Sequence, residues 1–418
     1  MARKTITQRY LIRCVSPLYL KAEEEPLLPI SYVVLDGTCY IIDINRLISE
    51  RKELIVDFRN KLEKDKDKFE LKAFLDEHDL LSKEFLEDMC VYRAKTDTDI
   101  ENGVIYPFIK NAFNDPFIPA DTIKRALKIA ILEDRVRRYL RSPNKIFLSK
   151  KRSSYYRRYK KRKRIAISRS LGEARKGELD KWEDLEKLFF GEFPLPKEKK
   201  LLEKHKKEDH NDIFRTIFIT DTLKAGKAHI LPTQMVKKES KNIEFLESVS
   251  TKTYREFLDA ETSIETRLTF DIELWKKFSR SKNRLKLPFS SLGELFKKAD
   301  KFYRGIWEDE YKYWTYVQKK RKVHEHKLSS FSDLQRLSEE SLFEEVKDEI
   351  DIESIREFYA RKPDKKGYLL HLGGSDEQMA LILRKALRIT KTTLPTREVI
   401  AEEKKINAPM GWVLLYRG

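Results

Sequence analysis

The sequence predicts an α+β fold, on three observations. It opens with a strand and a hairpin, its strands and helices come in blocks rather than in strict alternation, and strand patterns return near its end. A strand is expected over residues 5–15, ended by Ser16-Pro17. After an acidic, proline-containing loop, "SYVVLDGTCYIID" gives two β-branched and aromatic runs joined by Asp36-Gly37, a turn whose two positions favour positive φ. Helical periodicity follows over residues 44–91, and "PADTIKRALKIAILEDRVRRYL" is a further helix with Asp121 or Thr122 as its N-cap. Residues 145–210 change character: a basic run is followed by acidic and basic helix-like sequence, with "FPLPKEKK" as a linker. Order returns with the strand-like "DIFRTIFITDT" and with "SIETRLTFDI", where Ile264, Thr266, Leu268 and Phe270 alternate with polar neighbours. Residues 273–362 are charged and helical. The chain closes with strand-like "GYLLHL", a Gly-Gly turn, a helix over residues 376–388 and the strand "GWVLLYR". This divides the chain into residues 1–144, an insertion or linker over 145–210, and residues 211–418 with their own helical insertion at 273–362.

Charge is the most informative part of the composition. Across 418 residues, 87 Lys and Arg against 69 Asp and Glu leave a formal excess of +18 and a pI near 9.4. Such an imbalance favours a polyanionic partner, nucleic acid ahead of a membrane surface. A heat-adapted surface rich in ion pairs would explain the 37% charged residues but not their imbalance. Cys14, Cys39 and Cys90 are odd in number and lack CxxC spacing, which predicts free thiols in a reducing compartment. The first residues lack a hydrophobic signal core, and no segment approaches a membrane span. The expected location is therefore the cytoplasm, with no membrane contact.

Two segments are candidates for holding an RNA backbone. In the helix that begins near Pro119, Lys124, Lys128 and Arg135 line up on the flank of an apolar face. They stand beside N-terminal N–H groups of the kind that cradle phosphate. Residues 150–164 hold ten Lys or Arg, three Tyr and no acid. Rings interleaved with cations suit single-stranded RNA, so Tyr155, Arg157, Arg158 and Lys160 are further candidates. A solvated charged flank and a solvated loop are the plain structural alternatives for the two. Gly373-Gly374 before a capped helix lacks the GK[ST] of a phosphate loop, and its expected role is tight packing.

Catalytic patterns are scarce. His324 and His326 flank Glu325 without HExxH spacing, and carboxylates are not grouped as in a two-metal nuclease. A GxSxG elbow, a Walker lysine, a dinucleotide fingerprint and an RNP1 sequence are all missing. Neither a metal nor a cofactor is expected.

Together the segments resemble the RAMP superfamily of CRISPR effector proteins, most closely the subunit-five family of type III-A Csm complexes. The family's opening pattern is matched by Ser16, Pro17, Pro29, Tyr32, Gly37, Tyr40 and Asp43, and its helix start by Ile118, Pro119, Thr122, Lys124, Ala126 and Lys128. A third pattern is matched by Asp212, Arg215 and Asp221, and the closing one by "LGGS", Pro395, Arg397 and "PMGW". "KAEEEP" replaces the family's glycine-rich loop, and Ala120 and Arg125 stand where its helix start has glycines. The resemblance implies a ferredoxin-like, RRM-related RAMP core with long helical insertions. It implies a non-catalytic subunit that binds the 3′ part of the crRNA, caps the filament of backbone subunits and supports crRNA maturation. The implied partners are crRNA, the backbone and small subunits and, as a further candidate, host ribonucleases. Lys124, Arg125, Lys128, Arg135 and Arg215 are then the expected guide contacts, with Tyr155, Arg157, Arg158 and Lys160 adding affinity. Two alternatives within the superfamily are another type III RAMP subunit and a metal-independent endoribonuclease with His371 as general base. A protein-binding scaffold that holds no RNA is the third.

Overall fold

The structure, a computed structural model, describes residues 4–23, 25–65, 69–98, 100, 103–144, 146–147, 154–175, 182–190, 212–222, 226–239, 242–245, 253–280, 286–331, 351–373, 386, 397–402 and 405–418. Its first part runs β1 (Thr5–Cys14), β2 (Tyr32–Leu35), β3 (Thr38–Ile42), α1 (Ile44–Glu50), α2 (Ile55–Asp65), α3 (Leu71–Glu77), α4 (Lys83–Met89), β4 (Cys90–Thr96), β5 (Val104–Tyr106) and α5 (Ala120–Arg141). Next come α6 (Ser154–Arg175), α7 (Trp182–Phe190), β6 (Ile217–Ile219), β7 (Ala228–Glu239), β8 (Asn242–Phe245), β9 (Thr253–Leu258) and β10 (Ser263–Asp271). The last part holds α8 (Ile272–Arg280), α9 (Leu292–Phe331), α10 (Glu353–Ala360), β11 (Tyr368–His371), β12 (Arg397–Glu402), β13 (Lys405–Ala408) and β14 (Trp412–Arg417).

Two sheets organise these elements. The first has the order β11-β14-β1-β10-β6, every neighbouring pair antiparallel. In chain order β1, α5, β6, β10, α9 and β14 form strand, helix, strand, strand, helix, strand, and β10 lies between β1 and β6. Period-two patterning builds this sheet as the sequence predicts: Ile264, Thr266, Leu268 and Phe270 of β10 are buried, while Ser263, Glu265 and Arg267 are exposed. The main core lies between the buried face and the helices. It takes Ile12 and Leu127 from the first segment of the chain, Ile167 and Leu185 from the second, and Leu268 and Leu415 from the third.

The second sheet runs β13-β12-β7-β4-β3-β2, with β5, β8 and β9 attached beside it. Its hairpin is the one that Asp36-Gly37 predicts: Leu35 pairs with Thr38, and the turn residues have φ of 46° and 70°. Val33, Tyr40 and Ile42 pack on α1 to α4 in a separate small core. Among the described residues the helical stretch expected over residues 44–91 is instead four short α-helices and a 3-10 turn at Lys52–Leu54, and Cys90 and Val91 begin strand β4. Local capping marks the start of α1 and the break between α3 and α4. Asp43 accepts from Arg46 N (3.1 Å), Ser82 accepts from Phe85 N (3.3 Å), and Asp79 takes a positive φ between α3 and α4.

The two ends of the chain meet in one junction. Trp412 N donates to Ser16 Oγ (3.0 Å), Gly411 N to Pro17 O (2.8 Å) and Leu372 N to Gly411 O (2.8 Å). Trp412 is fully buried, edge-on to Trp307 and His371, and its indole N–H donates to Tyr359 Oη (3.1 Å). Gly373 packs as expected, with a Cβ position only 2.1 Å from Tyr19 O. The expected linker over 193–200 and helix over 376–388 fall outside the described residues, apart from Ala386, which is buried.

Candidate nucleic-acid interface

The start of α5 is held by a segment far away in the chain. Ile118 N donates to Thr222 Oγ1 (2.7 Å), Thr222 N donates back to Ile118 O (3.1 Å), and Ala120 N donates to Asp221 Oδ1 (2.6 Å). Pro119 is the N-cap residue, without a side-chain cap of its own, so neither Asp121 nor Thr122 plays that part. The Asp221 carboxylate satisfies an N–H that was expected to face phosphate, and the positive end of the helix dipole favours it there. One turn in, Ile123, Ala126, Leu127 and Ala130 enter the core, and Tyr303 Oη donates to Ala126 O (3.0 Å) from α9.

The cations around this helix start divide into outward and inward groups. Arg125 is exposed and Lys124 half-buried. Burial pushes the Lys124 ammonium's pKa down; Asp212 and Asp121 oppose that, while Lys128 and Arg215 add to it. Lys124, Lys128 and Arg215 are therefore electrostatic neighbours around Asp212. Lys128 pairs with Glu186 of α7 (2.5 Å) and Asp212 (2.7 Å), and stands 5.8 Å from the Phe214 ring centroid. Burial opposes its charge, but the two carboxylates outweigh burial and raise its pKa. Lys128 thus ties α5 to α7 and to the 3-10 turn Ile213–Thr216, which Asp212 also caps through Phe214 N (2.8 Å).

Arg135 corrects the sequence reading. It is 2% exposed and donates to Lys286 O, and burial lowers its pKa to about 10. A helical wheel sets its direction correctly on the flank of Lys124 and Lys128, but the chain around Lys286 runs across that flank and covers it. The basic stripe therefore stops before Arg135.

The basic run continues as helix. Residues 154–164 lie in α6, and Lys160 Nζ sits 5.4 Å from the Phe147 ring centroid. Tyr155, Arg157 and Arg158 are on the same helix, with side chains outside the described residues. Lys161, Arg162 and Arg164 are exposed, whereas Lys163 is buried with Ile167 and Leu171. This amphipathic division makes α6 a packed helix with a cationic outer face. His324 and His326 lie on α9, and their side chains are likewise not described. Sequence reasoning missed Phe113, which is 85% exposed at the tip of a turn six residues before Pro119. Asn111 Oδ1 fixes that turn by accepting from Phe113 N and Asp115 N (2.9 and 3.0 Å). An aromatic residue set among Asn, Asn, Asp and Pro was the available signal.

His371 is not placed to act as a base. It is 1% exposed beneath Trp412, and burial lowers its pKa from 6.5 to about 4. Between those pH values the unfolded chain takes up a proton that the folded chain refuses, so stability falls as pH falls. Relative to a His371→Gln variant, the parent is expected to lose about 3 kcal/mol between pH 7 and pH 4. Urea denaturation across that range measures it, and parallel curves would contradict the assignment. Among the described residues no group of His, Cys, Asp and Glu could hold a metal ion, and no helix is long and apolar enough to cross a membrane. Cys14, Cys39 and Cys90 are free thiols.

This fold has relatives among solved structures. Along nearly its whole length the chain is similar to T. onnurineus Csm5, known from a crystal structure, with a TM-score of 0.59 at 17% identity over 97% of this chain and 99% of that one. It is also similar to a chain in the cryo-EM structure of a Csm-crRNA-target RNA ternary complex of a type III-A CRISPR-Cas system. There the TM-score is 0.53 at 16% identity, over 98% of this chain and 100% of that one. No family model and no curated protein matches the sequence. The mixed helix and sheet architecture is therefore Csm5-like from end to end.

Proposed function

We propose that this chain, which carries a Csm5-like fold along nearly its whole length, is a non-catalytic RNA-binding subunit of a type III-A CRISPR effector ribonucleoprotein. It binds the 3′ part of the crRNA, caps the filament of backbone subunits and supports crRNA maturation in the cytoplasm. Its partners are crRNA, the other Csm subunits and, during maturation, host ribonucleases. The observation that carries this reading is end-to-end likeness to Csm5 and to a chain of a Csm-crRNA complex. The net charge of +18 supports it, as do Arg125 and Lys124 at the start of α5. The five-stranded sheet supports a ferredoxin-like RAMP core, since β14-β1-β10-β6 with crossovers through α5 and α9 is the split βαβ arrangement. The endoribonuclease alternative loses its base, because His371 is enclosed.

Arg125 and Lys124 are the guide contacts of choice at α5. Lys128 is a strut whose removal would disturb α7, and Arg135 belongs to the core. A Lys124→Ala/Arg125→Ala variant is expected to retain less guide RNA on purification. Its salt dependence on a single-stranded guide is expected to flatten by about 1.4 logarithmic units, two phosphate contacts at about 0.7 each. An unchanged slope would overturn these contacts, and a tagged chain that brings down no guide RNA from its native host would overturn the function.

A further inference from the structure

The face of the five-stranded sheet turned away from the main core is open over β6, β10 and β1, and its side chains are known row by row from the strand register. Phe218 stands opposite Thr269, which stands opposite Thr7. In the next row Arg267 stands directly opposite Arg9. Phe218 is 52% exposed, and Thr7, Arg9 and Arg267 are exposed as well.

Two arginines facing each other across an antiparallel pair are unfavourable, since their Cβ atoms are about 4.5–5.5 Å apart and their charges repel. Neither has an ion pair or a side-chain hydrogen bond among the described residues. By contrast Arg13, two positions along β1 from Leu11, is paired with Glu261. The acid nearest the pair in sequence, Glu265, stands opposite Leu11 and makes no ion pair with either arginine. Asp271 at the end of β10 is buried and caps α8 through Leu274 N (2.8 Å). The pair is bordered by exposed Glu265 one row along and by Gly418, whose N donates to Arg9 O (3.0 Å), and with no carboxylate in ion-pair contact among the described residues it is complementary to one bound anion. The neighbouring row supplies a ring and two hydroxyls, Thr7 and Thr269, which are hydrogen bonded to each other (2.8 Å).

From this arrangement we propose that the open sheet face is a second RNA contact, in which Arg9 and Arg267 share one phosphate of a single strand and Phe218 stacks on a base. Adjacent rows lie about 7 Å apart, a span that one nucleotide bridges between its base and its phosphate. Arginine suits the role because its planar fork makes paired bonds to phosphate oxygens. The central strands carry Arg and Thr where a base-reading sheet would carry aromatic rings, so the surface grips the backbone and tolerates sequence. The inference rests on the RNA-binding reading above and adds a site that the α5 start does not include.

Fluorescence anisotropy of the full chain with a labelled oligo(U) single strand, over a salt series, tests it. Arg9→Ala/Arg267→Ala is expected to weaken binding at low salt and to lower the salt slope by about 0.7, one phosphate. Phe218→Ala is expected to weaken binding about fivefold or more with the slope unchanged, as for loss of one stacked base. Without RNA, the double arginine variant is expected to be at least as stable as the parent, because a repulsion has gone. Should the double variant bind as the parent does while Lys124→Ala/Arg125→Ala loses affinity, the sheet-face site is wrong and the proposed function stands. Should the parent not bind the strand at all, both readings fall. If Phe218→Ala keeps full RNA affinity but loses its co-purifying subunits, the face is a protein interface and the proposal is overturned.

Discussion

Replacing Lys110 with methionine is expected to destabilise the fold by about 3–5 kcal/mol, because it leaves a buried carboxylate without its cation. Lys110 and Glu256 form an ion pair with side chains 5% and 0% exposed. The Glu256 carboxylate also accepts from Tyr92 Oη (2.8 Å) and from Phe108 N (2.8 Å), and Lys110 Nζ lies 4.1 Å from the Tyr92 ring centroid. The four residues come from three stretches of chain: Tyr92 on β4, Glu256 on β9, and Phe108 and Lys110 together between β5 and α5. The pair therefore fixes the segment that leads to the α5 start against the second sheet.

Its net worth is smaller than the cost of breaking it, since taking both charges out of water is itself unfavourable. Lys110→Met/Glu256→Gln should accordingly recover much of what the single substitution loses, because glutamine can still accept from Tyr92 and Phe108. Urea midpoints of parent, both single variants and the double variant give the coupling as a double-mutant cycle. A single variant that loses less than about 1 kcal/mol would show that water reaches Glu256 and that the pair is not a buried one.

Local regularities made part of this molecule legible in its sequence. The alternation of Ile264, Thr266, Leu268 and Phe270 gives β10 and its buried face, because side-chain direction in a strand follows from position alone. Asp36-Gly37 gives the hairpin for the same kind of reason. Features that depend on distant partners were not legible. Nothing near Ala120 shows that its N–H is taken by Asp221, which is 101 positions away. The wheel of α5 predicts the angle of Arg135 but not the chain around Lys286 that covers it. Arg9 faces Arg267 only once β1 and β10 are paired in register, so a cationic site split between two strands has no sequence signature. Excess charge was legible as a sum, and its placement was not.

Some of the residues that carry the family resemblance, Ser16, Pro17, Gly373, Gly411 and Trp412, close the fold, and substituting the glycines among them is the strongest test of this. Gly411 has a φ of +87°, and a Cβ there would lie 2.7 Å from Leu372 O and 2.8 Å from His371 Cε1. Gly373 has a φ of +71°, with its Cβ position 2.1 Å from Tyr19 O. In both places a left-handed backbone costs an alanine about 1–2 kcal/mol, and forcing a methyl into occupied space adds about 1–3. Gly411→Ala and Gly373→Ala are each expected to lose about 2–5 kcal/mol on those two grounds. Gly305 is the control: it lies inside α9 with nothing within 4 Å of its Cβ position, so Gly305→Ala should gain about 0.5–1 kcal/mol from helix propensity. Thermal or urea unfolding of the three variants separates them by sign. If Gly411→Ala and Gly305→Ala shifted stability alike, the junction of Ser16, Pro17, Gly411 and Trp412 would not be the closure that its hydrogen bonds describe. Gly373, Gly411, Trp412, Ser16 and Pro17 are thus explained by closure of the chain alone, and the proposed RNA contacts at Lys124, Arg125, Arg9, Arg267 and Phe218 stand apart from that junction.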